Sequence, residues 1–140
     1  GLIIARRASI AGADGGCQAE TGTGAAITAA ALVELCGGTA EAALDAAAIA
    51  LKNVMGLVCD PVAGLVECPC IKRNAIGAVN AMLCADLVLA GVKSIIPFDE
   101  VVQAMKSVGS SMRPELRETA LGGLAATPTA KEIAKKLKER

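Results

Sequence analysis

The chain has 140 residues, enough to bury a core without disulfide staples. Apolar residues make up 54% of it and aromatics only 1%; Phe98 is the one ring, histidine is absent, and 14 basic residues balance 14 acidic ones. This excludes a nucleic-acid surface, which needs a basic stripe and stacking rings, and it excludes Ser-His-Asp chemistry and imidazole-built zinc sites within these residues. No apolar run reaches the length of a membrane span, because Glu34, Asp45, Glu67 and Asp86 interrupt the candidates. No signal peptide is read at the start, so a cytoplasmic location is expected. A core of Ala, Leu, Val, Ile, Met and Cys lets helices approach closely, which favours helix on helix over a sheet. The expected fold is therefore all-α, a compact helical domain covering 1–140. The first residues are Gly-Leu-Ile-Ile-Ala rather than Met, and the chain is read as a piece of a longer one.

Residues 1–10 carry no clear pattern, and 12–16 form a glycine-rich loop. An Ala-rich helix is predicted over 18–36, stopped by Gly37 and Gly38. Thr39 N-caps the next, which runs to about residue 54 with Leu44, Ala47, Ala48 and Leu51 on one face. Residues 57–69 contain Pro61, Gly64 and Pro69 and read as an irregular segment. A helix over 71–90 follows. It carries Ile76, Val79, Leu83, Leu87 and Ala90 on one face and the small residues Gly77, Ala81 and Cys84 on another, so it is expected to be the buried central helix. Pro97 and Asp99 announce a further helix with Val101, Val102 and Met105 inward. Pro114 starts another that ends at Gly122 and Gly123. The last helix opens on a Thr129/Glu132 capping box and ends in Lys135, Lys136, Lys138 and Arg140, a basic end that suits the helix dipole.

Six cysteines with no histidine is an unusual pairing. Cys36 and Cys84 fall within helical periodicity and read as buried packing. Cys68 and Cys70 flank Pro69, too close for a relaxed disulfide, and Cys59 lies in the same irregular segment. Cys17 and Cys70 precede helix starts, where backbone N–H groups and the dipole favour a thiolate. A metal or cluster site and a disulfide among Cys17, Cys59 and Cys68 both remain open on this pattern. There is no Cys-x-x-Cys, which argues against a zinc ribbon, ferredoxin or thioredoxin-type site. Residues 12–16 lack the Walker Lys-Ser/Thr and read as a close-approach loop rather than a phosphate loop.

Four stretches carry a resemblance: Gly-Gly-Cys-Gln-Ala-Glu at 15–20, Gly-Leu-Val-Cys-Asp-Pro-Val-Ala-Gly-Leu-Val-Glu at 56–67, Pro-Cys-Ile-Lys-Arg-Asn-Ala at 69–75 and Arg-Glu-Thr-Ala-Leu-Gly-Gly-Leu-Ala-Ala-Thr-Pro-Thr at 117–129. Together they resemble the C-terminal, cluster-binding part of the alpha chain of bacterial iron–sulfur L-serine dehydratases. The resemblance implies that Cys17, Cys59 and Cys70 hold a 4Fe–4S cluster whose fourth iron is left for substrate. Cys68 departs from the family pattern and is set aside. Implied with it are a lyase that converts L-serine to pyruvate and ammonia without pyridoxal phosphate, a beta chain as partner, and a homo- or hetero-oligomer. Its place would be amino-acid degradation feeding gluconeogenesis. Arg73 is expected at the substrate carboxylate and Asn74 at a sulfide or substrate oxygen. The catalytic base is unassigned, since the family's histidine motifs lie upstream of the region matched here. The 140 residues alone are therefore expected to be inactive, and the cluster to be lost in air. The alternative is a helical iron–sulfur or metal-binding module without complete activity of its own.

Overall fold

The structure is a computed structural model and describes residues 1–139. Seven α-helices follow in chain order: α1 (Leu2–Arg7), α2 (Gly12–Gly15), α3 (Cys17–Leu35), α4 (Ala40–Asn53), α5 (Cys70–Leu89), α6 (Phe98–Ser111) and α7 (Pro128–Lys138). Short 3-10 turns cover Val62–Gly64, Pro114–Leu116 and Gly123–Ala126. Among the described residues there is no strand, only an isolated bridge between Cys59 and Arg117. The expected all-α class is what is observed. Residues 1–10, without a clear pattern in sequence, contain α1, and the glycine loop contains the single turn of α2. Arg140, expected at the basic end of α7, lies outside the described residues.

The buried central helix is α3. It packs against α4 and α5 and also touches α2 and α6, while α4 reaches α5 and α6. Alanines dominate the joint. Ala25, Ala26 and Ala29 of α3 meet a core that includes Ala46, Ala47, Ala48, Ala50 and Leu51 of α4. With so few large side chains, the ones that are fully buried carry much of the packing: Ile4, Leu51, Met105, Val33, Val101 and Val102. The Thr39 hydroxyl accepts the Ala42 amide and caps α4 as expected. Val101, Val102 and Met105 face inward from α6, also as expected.

Four expectations are corrected. First, α5 is not the central helix: Ile76, Val79 and Leu83 are exposed, and the small-residue face of Gly77, Ala81, Cys84 and Ala85 is the buried one. Close approach to α3 and α4 selects small side chains there over large ones. That joint also buries Asn80, which accepts from Asn53 at 2.7 Å and donates to the Ala50 carbonyl at 3.0 Å. Second, Pro114 opens only a 3-10 turn. Glu118 and Ala120 then adopt φ of 65° and 56°, which no helix can contain. Third, the cap of α7 is Thr127, whose hydroxyl accepts the Ala130 amide, with Pro128 in the first turn. Fourth, Cys36 sits at the C-cap of α3 and is exposed, while Cys84 is buried as expected.

Candidate metal centre

Cys17 is the first residue of α3 and Cys70 the first of α5, so two thiols stand at the positive ends of the two longest helices. Cys59 comes from the irregular segment between α4 and α5, and its position is held by its own backbone. The Cys59 amide donates to the Leu116 carbonyl at 2.8 Å, and the Glu118 amide donates to the Cys59 carbonyl at 2.7 Å. The stretch after Pro114 thus acts as a splint for Cys59, which is why it is not a helix.

Gln18, completely buried beside Cys17, fixes the approach of that segment from the other side. Its amide nitrogen donates to the Met105 carbonyl at 3.0 Å and its amide oxygen accepts the Gly56 amide at 2.9 Å. The Gln18 backbone amide reaches the Leu57 carbonyl at 2.9 Å. One side chain therefore ties α3, α6 and the run into Cys59 together. Sequence reasoning did not single it out; the signal was its place directly after a cysteine in a matching motif.

Asp60, also buried, is the second fixing residue. It accepts from Arg73 Nη1 at 2.7 Å through one oxygen and from the Leu124 amide at 2.7 Å through the other. Gly123 is required beside it: φ is +57°, and a side-chain carbon there would run into the Asp60 carboxylate. Arg73 Nη1 also donates to the Val58 carbonyl at 2.8 Å and lies 3.9 Å from Cys17 Sγ. Burial pulls the Arg73 guanidinium down, but the Asp60 carboxylate and then Cys17 outweigh it, so its pKa is raised. Arg73 is thus turned inward, among the fixing groups. Asn74, next in sequence, faces elsewhere: it accepts from Thr21 Oγ1 at 3.3 Å, on a groove of about 220 Å³ between α3 and α5 that Glu20 and Thr28 also line. The two residues do not share one cavity.

The three thiols feel one another. Burial pushes the Cys59 thiol up to about 12, helped by Cys17, which is within hydrogen-bonding reach, then by Glu118 and Cys70. Burial raises Cys70 as well, with Cys17 adding to it and Arg73 opposing. Cys17 and Cys59 are buried and Cys70 is half-buried, while Cys68 is exposed. Among the described residues no group of three His, Cys, Asp or Glu side chains converges closely enough to hold a single metal ion. The thiols neighbour one another without meeting at one point. Three soft sulfur donors spaced this way suit a polynuclear iron–sulfur group, in which each cysteine takes a different iron. Gly12 bears on the fit: a side-chain carbon there would stand 3.0 Å from Cys59 Sγ and 3.1 Å from Glu20 Oε2, so its absence keeps that wall of the thiol space open.

A family profile described as "Serine dehydratase alpha chain" matches residues 1–125. This chain belongs to that family. Among relatives of the serine dehydratase alpha chain, it is 60% identical over 137 residues to the probable L-serine dehydratase, alpha chain, of Bacillus subtilis (strain 168), covering 98% of this chain and 46% of that one. It is 60% identical over 133 residues to the L-serine dehydratase, alpha chain, of Peptoniphilus asaccharolyticus, with 95% and 46% covered. It is 45% identical over 126 residues to the L-serine dehydratase of Mycobacterium tuberculosis (strain CDC 1551 / Oshkosh), with 89% and 27% covered. The chain spans about half the length of the Bacillus subtilis and Peptoniphilus asaccharolyticus alpha chains. Among the described residues no helix is long and apolar enough to cross a membrane.

Proposed function

We propose that this chain is the cluster-holding part of an L-serine dehydratase alpha chain, a cytoplasmic lyase that converts L-serine to pyruvate and ammonia together with a beta chain. The observation that carries the reading is that Cys17, Cys59 and Cys70 neighbour one another, from two helix N-termini and a splinted loop, in a chain of this family. These three cysteines would hold a 4Fe–4S cluster. When bound, such a cluster supplies one iron without a protein ligand, a Lewis acid for the serine hydroxyl.

The chain's own residues do the rest of what is assigned here. Gln18 and Asp60 hold the cysteine loops in register. Arg73 holds a positive charge 3.9 Å from Cys17 Sγ, which would offset the like charges of three cluster-bound sulfurs in a partly dry space. The named bonds of Arg73 leave from Nη1, which keeps the other side of the guanidinium for the substrate carboxylate. Asn74 lies apart from Arg73, on the α3–α5 groove, where it accepts from Thr21. Removal of the Cα proton calls for a base, and we assign it to sequence outside these residues because histidine is absent here. Loss of that proton and of the hydroxyl leaves aminoacrylate, which tautomerises to an imine; water then gives pyruvate and ammonium, with no pyridoxal phosphate involved.

The lack of any imidazole favours one second reading, a metal-binding module without activity of its own. Anaerobic reconstitution of the complete polypeptide with its beta chain separates the two. The proposal expects roughly four irons per alpha chain, as a cubane requires, loss of that iron in Cys59→Ala, and pyruvate on addition of L-serine. Iron without pyruvate leaves the module reading. No iron uptake sinks both.

A further inference from the structure

α5 packs by one side only. Gly77, Asn80, Ala81, Cys84, Ala85 and Val88 are buried against α3 and α4. The opposite side presents Ile76, Val79 and Leu83, which are 63%, 60% and 52% exposed, with Met82 exposed beside them. A spacing of three and then four residues places them in one continuous stripe. Burying such side chains is favourable, so three in a row left in water mark a surface that is covered in use. Two charges bracket the stripe. Lys72 lies seven residues before Val79 and Asp86 seven after it, both exposed and both within the same stripe, because seven residues are close to two helical turns. Neither takes part in an ion pair among the described residues.

We propose that this stripe is a self-complementary interface, on which a second copy of the chain lays its own α5 antiparallel with the two-fold axis beside Val79. That operation sets Val79 against Val79 of the partner subunit. It brings Lys72 to Asp86 of the partner subunit and Asp86 to Lys72 of the partner subunit, about 10 Å to either side of the axis. Ile76 then lies against Leu83 of the partner subunit, on the same flank of the stripe. A parallel pairing would oppose lysine to lysine and aspartate to aspartate, so the charges select the antiparallel arrangement. An unrelated partner has no need of opposite charges placed symmetrically about the stripe's centre; a second copy does. One helix pair makes a small contact, so the association sits at the weak end of the range for specific interfaces.

The test uses the complete polypeptide and measures its assembly by sedimentation across concentration. Lys72→Glu and Asp86→Lys each place two like-charge pairs across the two-fold and should raise the dissociation constant by about tenfold. The double variant K72E/D86K should restore it. High salt should shrink the difference. Val79→Cys should give, under mild oxidation, a disulfide joining the two substituted positions of identical chains, identified by peptide mass. Assembly indifferent to the single reversals, or a double variant no better than the singles, overturns the proposal. So does a crosslink from position 79 to another part of the same chain or to a beta chain, or no crosslink at all.

Discussion

Asp60 and Arg73 hold one another at 2.7 Å, and the same Arg73 nitrogen lies 3.9 Å from Cys17 Sγ. The carboxylate that follows one candidate ligand thereby aims a cation at another. Both side chains are largely removed from water, so the pair sets geometry at a desolvation cost.

Breaking that pair from one side should be expensive. Asp60→Ala leaves the Arg73 charge buried without its partner and the Leu124 amide unpaired, and should lower stability by about 3–5 kcal/mol. Urea unfolding of the iron-free protein measures this. A loss under about 1 kcal/mol would mean the pair is as inconsequential as a surface ion pair.

Gln18→Leu keeps the volume and removes both ends of the amide. The Met105 carbonyl then loses its partner in a buried site, at about 1–3 kcal/mol, while the Gly56 amide, on an exposed residue, can turn to water. Because the same bonds hold the run into Cys59, iron retained after reconstitution should fall along with the unfolding midpoint. A variant that unfolds earlier but keeps all its iron would remove Gln18 from the site and leave it in the core.

Two glycines should respond in opposite directions. Gly24 lies within α3, exposed, with nothing near the position of a side-chain carbon, so Gly24→Ala should stabilise by about 0.5–1 kcal/mol. Gly123→Ala meets Asp60 in a left-handed backbone and should destabilise by at least about 1–3 kcal/mol. Thermal midpoints of the two variants, compared in one buffer, check the pair.

The iron-free protein should lose stability in alkali through Cys59. Its folded-state pKa is raised from 9.0 to about 12, so the unfolded chain releases that proton at lower pH than the folded one. The contribution is complete below about pH 9 and disappears as pH rises toward 12. Cys59→Ser, which cannot ionise there, should flatten the decline. An identical slope in the variant would assign it to other groups.

The proposed ligand set implies a contrast in iron uptake. Cys17→Ala, Cys59→Ala and Cys70→Ala should each fail to hold iron anaerobically, while Cys36→Ala and Cys68→Ala, at exposed positions, should hold as much as the parent. Iron loss in Cys68→Ala would instead make it a ligand in competition with Cys70.

Much of this architecture was legible because the punctuation was local. Gly37 and Gly38 end α3 within a residue of expectation, Thr39 caps α4, and residues 71–90 anticipate Cys70–Leu89. What periodicity could not rank was the two sides of α5. It scores apolar size, whereas close helix contact rewards smallness, so Gly77 and Ala81 go inward and Val79 stays outside. The stretch after Pro114 misled for another reason. Proline at a first turn is a local signal, but the backbone of 116–118 is claimed by Cys59, more than fifty residues earlier. The bonds of Gln18 and Asp60 were beyond reach in the same way, since their partners lie between 13 and 87 residues away.

The bridge between Cys59 and Arg117 also has an order in time. During synthesis Cys59 leaves the ribosome well ahead of residues 116–118, and at about 5–20 residues per second that interval lasts seconds. Through it the thiol hangs on an unsplinted loop, open to oxidants and to stray metals. On the proposed reading, cluster insertion at this position would be a task for the finished chain rather than the nascent one, and a truncation before residue 116 should yield a protein that helix content reports as folded but that iron does not recognise.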